Sequence, residues 1–230
     1  MDQALLRVRQ FVEKGDRPHS KNFSVPKDPF LYQTFKTADL LIPDGIGMVL
    51  AAKILYDVKL TRVPGVELMA SICEMSAKSR YKIFVYGARE EVNKTAVLKL
   101  QERYHGLEIV GRANGYLRDE EMASLVTSIN KSGAEILFLA LGSPKQEKWF
   151  ETYGTYLESV RVCQGIGGTL DSIAGSFKRA PEVWQSLGLE WFYRSVADPK
   201  RITRARACLL FGAMVMFEKV KRSPRLINME

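Results

Sequence analysis

Histidine and cysteine are the scarce residues of this chain, and their scarcity removes several kinds of chemistry. His19 and His105 are the only histidines. A zinc site would need unusual ligands, and a Ser–His–Asp triad has little to be built from. Cys73, Cys163 and Cys208 are scattered, odd in number and set among apolar neighbours. They read as buried thiols of a reducing compartment, not as a disulfide framework. No apolar run reaches the roughly 18 residues of a spanning helix; the longest, Cys208 to Phe217, is too short. Met1 to Gly15 is a charged helical stretch without the apolar centre of a signal peptide. These absences predict a cytosolic location, with a membrane surface still open to the protein. The P-loop pattern is missing. Gly165-Ile166-Gly167-Gly168 superficially resembles a dinucleotide fingerprint. It lacks the full spacing, and no acidic strand end follows at the right distance.

What is present bounds the answer further. A chain of 230 residues, 46% of them hydrophobic, makes one large domain or one domain with an appendage. The net charge of +8 points to an anionic partner: nucleic acid, an anionic lipid surface or a phosphorylated ligand. No strip of interleaved aromatic and basic residues falls on a strand, so nucleic acid is not expected.

In chain order, Leu5, Val8, Phe11 and Val12 recur at helical spacing within 4–14, and Gly15 and Pro18 end that helix. Ser20 to Val25 reads as a short strand or loop, and Phe30 to Phe35 as a helix. Leu40-Leu41-Ile42 is a short buried strand that Pro43 stops, and Ile46 to Leu55 is the helix after it. A basic loop, Lys59 to Gly65, leads to a helix over 66–76. Strands are then predicted over 81–86, 107–110, 135–141 and 160–164, with helices over 91–104, 119–131 (capped by Asp119) and 146–153. Strands alternating with helices of this length argue for an α/β fold. The expected architecture is a Rossmann-like, mostly parallel sheet with helices on both faces. After Gly175 the chain turns helical, basic and aromatic. The predicted division is a sheet domain over 1–176 and a helical C-terminal appendage over 177–230.

Two stretches could carry chemistry. Asp44 stands at a strand end before Gly45 and Gly47. Ligands of open α/β sheets bind beyond the carboxyl ends of strands, so Asp44 is a candidate carboxylate of the pocket floor. Alternatively it only caps the helix beginning near Ile46. The second stretch is Gly142-Ser143-Pro144-Lys145-Gln146-Glu147, closing the most apolar strand. Pro144 shapes the turn, Lys145 supplies charge, and Gln146 offers a donor and an acceptor. Glu147 suits a helix N-terminus, so a capped connection without a ligand is the alternative. Glycines also follow other strands, at Gly87 and Gly165 to Gly168, where the backbone could approach a phosphate.

These residues carry a resemblance. The chain resembles the WecG/TagA/CpsF family of bacterial glycosyltransferases. The matching segments are Ser20 to Asn22, Ile42 to Gly45, Arg62 to Leu68, Gly142 to Glu147, Gly165 to Asp171, Lys178 to Pro181 and Leu189 to Arg194. They follow the family's order along almost the whole chain. Ser20 stands where the family usually has threonine, and Pro64-Gly65 where it has Thr-Gly. The strand the family carries before its first helix has no counterpart here.

The resemblance implies transfer of a sugar, N-acetylmannosamine or a related hexose, from a uridine-diphosphate (UDP) donor. The implied acceptor is an undecaprenyl-diphosphate-linked sugar of cell-surface polysaccharide or wall teichoic acid synthesis. It implies inversion, no metal and no cofactor, with Asp44 as the base. No Asp-x-Asp metal clamp occurs in the sequence, so basic side chains would take the leaving diphosphate's charge. Arg194, Arg201, Arg204 and Arg206 lie in the appendage at spacings that place several on one helical face; they supply a lid, or else a solvated basic face. With Gly87, the candidate substrate contacts are Ser20, Asn22, Gly45, Arg62, Gly142, Lys145, Gln146, Gly168, Asp171, Arg194, Arg201 and Arg204.

The apolar residues Leu209, Leu210, Phe211, Val215, Met216 and Phe217, followed by Lys219, Lys221, Arg222 and Arg225, suit an anionic membrane surface on the inner face of the cell membrane. Packing on the chain's own domain or in a homo-oligomer is the alternative. Trp184 and Trp191 read as core or interface residues. A catalytically silent nucleotide-sugar or lipid-binding module is the competing function.

Overall fold

The computed structural model describes residues 1–6, 19–21, 30, 34, 38–175, 181, 184 and 202–221, of which 19–21 and 202–207 are described without their side chains. Six strands form one sheet: β1 (His19–Lys21), β2 (Leu40–Leu41), β3 (Ile83–Gly87), β4 (Ile109–Ala113), β5 (Ile136–Ala140) and β6 (Val162–Gly165). Their order is β2-β1-β6-β5-β3-β4, and every pairing is parallel. The α/β expectation is met.

The core follows from strand periodicity. Phe84 pairs with Leu137 and Tyr86 with Leu139. All four turn to one face, where Met122, Leu125, Ile129 and Trp149 cover them. Those last residues belong to α4 (Met122–Ser132) and α5 (Lys145–Tyr153). The central strands β3, β5 and β6 are buried throughout, as parallel strands covered on both faces are. On β6, Gln164 donates to the Gly65 carbonyl at 3.1 Å, at the start of α2 (Gly65–Ser79). Farther along, α3 (Glu90–Arg103) packs along α6 (Thr169–Ala174), and Lys99 reaches the Ala174 carbonyl at 2.9 Å. Ion pairs such as Lys78–Glu74 are exposed and add little to stability. The apolar core therefore dominates. Burial pushes the Cys73 thiol up to about 12, which keeps it neutral and inert.

Some boundaries differ from the expected ones. The strand predicted over 107–110 is β4, Ile109–Ala113. Gly111 lies inside it because the Phe84 ring fills the place a side chain would take, a close approach that glycine alone permits. Asp119 does not cap α4. It opens a 3₁₀ turn, Asp119–Glu121, in which Glu121 accepts from the Arg118 amide at 2.9 Å. That bond, together with the Arg118 side chain, holds the Glu121 carboxyl below its usual range. Residues 2–6 are helical; the rest of the helix predicted over 4–14, and most of the stretch after Gly175 expected to be helical, lie outside the described residues.

The chain divides into two compact units. The first holds Met1–Ile42 and Gly65–Lys178, with the whole sheet. The second joins Pro43–Pro64 to Arg179–Glu230. In it, α1 (Ile46–Tyr56) packs on α7 (Ile202–Lys221). Gly47 lies where a β-carbon would meet the Phe211 ring at 3.6 Å, and Ala51 and Val215 are buried.

Candidate active site

The sheet's topology places a ligand crevice. From β3 the chain passes through α3 to β4 at one edge. From β5 it runs the other way to β6. Where neighbouring parallel strands lead in opposite directions, their carboxyl ends part into a crevice. The ends of β3 and β5 are such a pair. Their turns are tied together: Ala88 donates to the Ala140 carbonyl at 3.0 Å, and Gly115 to the Ala88 carbonyl at 2.7 Å. Gly87 adopts a positive φ of 126°, and a β-carbon there would strike the Ala140 backbone. The glycine is needed for that approach, whatever else it does.

Next along the sheet are the turns after β5 and β6. Gly142 has a positive φ of 77°, with open space where a side chain would stand. The Ser143–Pro144 peptide is cis, and α5 begins at Lys145, which is exposed. Gln146 is buried, and both ends of its amide are engaged inside the protein. Its Nε2 donates to Glu147 Oε1 at 3.1 Å, and its Oε1 accepts from the Gly167 amide at 3.2 Å. Gly168 is exposed and precedes α6, whose first turn carries Asp171. On β1, Ser20 stands opposite Gln164 of β6. Ser20, Gly87, Gly142, Lys145, Gln146, Gly168 and Asp171 thus belong to the sheet unit.

Asp44, Gly45 and Arg62 belong to the second unit. The N-cap of α1 is Gly45, so the capping position is not Asp44's. Asp44 is exposed. Its main-chain carbonyl accepts from Arg62 Nε at 2.9 Å, and Val63 donates to the Pro43 carbonyl at 3.1 Å. These two bonds close residues 43–63 into a loop and fix the backbone that carries the acid. Asn22, Arg194 and Arg201 lie outside the described residues; Arg204 lies on α7.

Two buried polar residues bear on the crevice. Asn93, fully buried on α3, donates to the carbonyls of Gly87 at 2.8 Å and Ala113 at 3.0 Å. It pins the carboxyl ends of β3 and β4 together. Its signal was a polar residue in the buried register Val92, Asn93, Ala96, Val97, Leu100. Glu147, expected to serve a helix end, is buried as well, and its Oε2 carries no hydrogen bond. Among the described residues no three His, Cys, Asp or Glu side chains gather as metal ligands would.

The sequence matches the Glycosyl transferase WecG/TagA/CpsF family over residues 1–225. The chain belongs to that family. Among its relatives is the N-acetylglucosaminyldiphosphoundecaprenol N-acetyl-beta-D-mannosaminyltransferase of Staphylococcus aureus (strain MRSA252). It is 34% identical over 205 residues, covering 89% of this chain and 78% of the relative. The enzyme of the same name from Bacillus subtilis (strain 168) is 30% identical over 197 residues, covering 86% of this chain and 76% of its own. This family member thus carries a parallel α/β sheet whose strand-end turns hold most of the described candidate residues. Asp44 and Arg62 lie in a separate loop-and-helix segment.

Proposed function

We propose that this glycosyltransferase moves N-acetylmannosamine, or a closely related hexose, from UDP to an undecaprenyl-diphosphate-linked sugar in cell-wall polymer synthesis. The observation that carries this reading is the match to relatives of that name over almost nine-tenths of the chain. Asp44 takes the proton of the acceptor hydroxyl as its oxygen attacks the anomeric carbon. The bond to the UDP oxygen breaks on the opposite face, so the linkage inverts. Ser20 and Asn22, with the turns carrying Gly142, Lys145, Gly168 and Asp171, hold the donor. Arg62 fixes the backbone of Asp44. Arg194, Arg201 and Arg204 take the charge of the departing diphosphate, the work a metal ion does in other sugar transferases. The test offers purified protein a series of UDP-sugars with a short-chain prenyl-diphosphate N-acetylglucosamine and reads free UDP. Release that needs both substrates, greatest with UDP-N-acetylmannosamine, is expected. Tight UDP-sugar binding without release would favour a silent binding module.

The reading extends to an anionic membrane surface at the inner face of the cell membrane. Among the described residues no helix is long and apolar enough to cross a membrane. On α7, however, Leu209, Leu210 and Phe217 are 66%, 65% and 72% exposed. They lie away from the seam of Phe211 and Val215 that meets α1. Residues 43–64 and 179–230 hold 13 Lys and Arg against 7 Asp and Glu, so most of the net charge of +8 sits in that unit. An apolar helical face with basic flanks suits an anionic leaflet. Co-sedimentation with phosphatidylglycerol vesicles at low salt is expected, weakened at least fivefold by Phe217→Glu and by high salt. No sedimentation at low salt would reject the contact.

A further inference from the structure

We propose that Glu147 is a positioning residue, which orients the Gln146 amide so that its carbonyl holds the Gly167 N–H and the turn between β6 and α6. The inference rests on the function proposed above only in linking that turn, with Gly168 and Asp171, to the donor.

The geometry is specific. Gln146 lies beneath the turn and meets it twice. Its Oε1 accepts from the Gly167 amide at 3.2 Å, and its amide nitrogen fills the place a side chain at residue 165 would need. A carboxamide has nearly the same shape either way round, yet only its oxygen can accept from a backbone N–H. Glu147 breaks that symmetry. A carboxylate oxygen accepts, and Glu147 Oε1 receives Gln146 Nε2 at 3.1 Å. Turning the amide over would set oxygen against carboxylate and NH₂ against the Gly167 N–H. Both conflicts would be buried, since Gln146 and Glu147 are 3% and 2% exposed.

A second observation argues that stability is not what Glu147 supplies. Its Oε2 is buried without a hydrogen bond, an arrangement that costs folding free energy. A side chain of similar size without the charge would be tolerated at least as well. What such a side chain could not do is choose the direction of the Gln146 amide. The turn has need of a hold. Gly167 sits at a positive φ of 52°, with open space where a β-carbon would stand. Besides the backbone bond from Ile166 to Leu139 and the contacts of Thr169 with Ile166, the Gln146 carbonyl is its link to α5.

The test uses the full chain and reads hydrogen exchange at the Gly167 amide without substrate. Glu147→Leu is expected to speed that exchange at least tenfold without lowering the thermal midpoint. Glu147→Gln, whose amide can offer either a donor or an acceptor and so fixes no direction, should exchange faster than wild type and no faster than Glu147→Leu. Gln146→Met should match Glu147→Leu, and the double variant should exchange no faster than either, since both break one chain of contacts. If Glu147→Leu does not fold, Glu147→Asp, one methylene too short to reach, takes its place and should also exchange fast. In the transfer assay, Glu147→Leu should raise the donor KM about tenfold, with kcat and the acceptor KM within twofold. Unchanged exchange at Gly167 overturns the inference whether or not the protein transfers sugar. Equal shifts in both KM values also overturn it. Faster exchange in a protein with no transferase activity upholds Glu147's role and sinks the proposed reaction instead.

Discussion

Asp44→Asn is expected to lower the rate of sugar transfer by about 10²- to 10⁴-fold, the usual worth of a positioned proton acceptor. The substitution keeps the size and planarity of the side chain while removing its charge and its ability to take a proton. The N-cap of α1 is Gly45, so exchanging the acid disturbs no side-chain cap. The bond from Arg62 is to the main-chain carbonyl, which asparagine retains. The loss should fall on kcat, with the donor KM within a few-fold of wild type. Initial rates of UDP release, checked by single-turnover transfer, give the numbers. Turnover near the wild-type rate would take the role of base away from Asp44. By the same logic Arg62→Ala would act through the loop and not through the proton.

Val215→Asp is expected to cut transfer at least tenfold while leaving the sheet folded. Val215 is the buried side chain on the described part of α7, one turn from the Phe211 ring that covers Gly47. An ionised carboxylate in that seam would lose its water with no partner, at a cost of several kcal/mol. The cheaper outcome is for α7 to leave α1. Arg201 and Arg204, assigned to the leaving diphosphate, would go with it. The residues that hold the sheet, such as Phe84, Ile136 and Phe138, belong to the other unit. Its thermal transition should survive, while residues 202–221 become sensitive to protease. Val215→Ile serves as the control. Full activity with a cleavable α7 would remove the appendage from the mechanism.

How much of this was legible in the sequence depended on range. Strands β3 and β5 announced themselves as continuous apolar runs, and glycines marked the turns at their ends. Local pattern could not separate a glycine that ends a strand from one that lies inside it. Gly111 therefore read as loop, although the Phe84 ring from the neighbouring strand explains it. Gln146 stood out as a polar residue beside a lysine, the signature of a ligand contact. Its partners, Gly167 and Glu147, show instead an amide engaged within the scaffold. Asn93 escaped notice because its importance lies in two carbonyls, of Gly87 and Ala113, that no helical pattern reveals. The grouping of Pro43–Pro64 with Arg179–Glu230 is the longest-range feature and the least visible along the chain.

The position of β1 has a further effect. Among the described strands it comes first in the chain, yet it is seated between β2 and β6, the last of them. During synthesis the amino-terminal pair must wait until the chain has been extended through Gly165 before it gains its inner neighbour. Closure over so long a separation is slow. The β3-β4-β5 segment, whose members are nearer in sequence, can assemble while the opening residues are still unplaced.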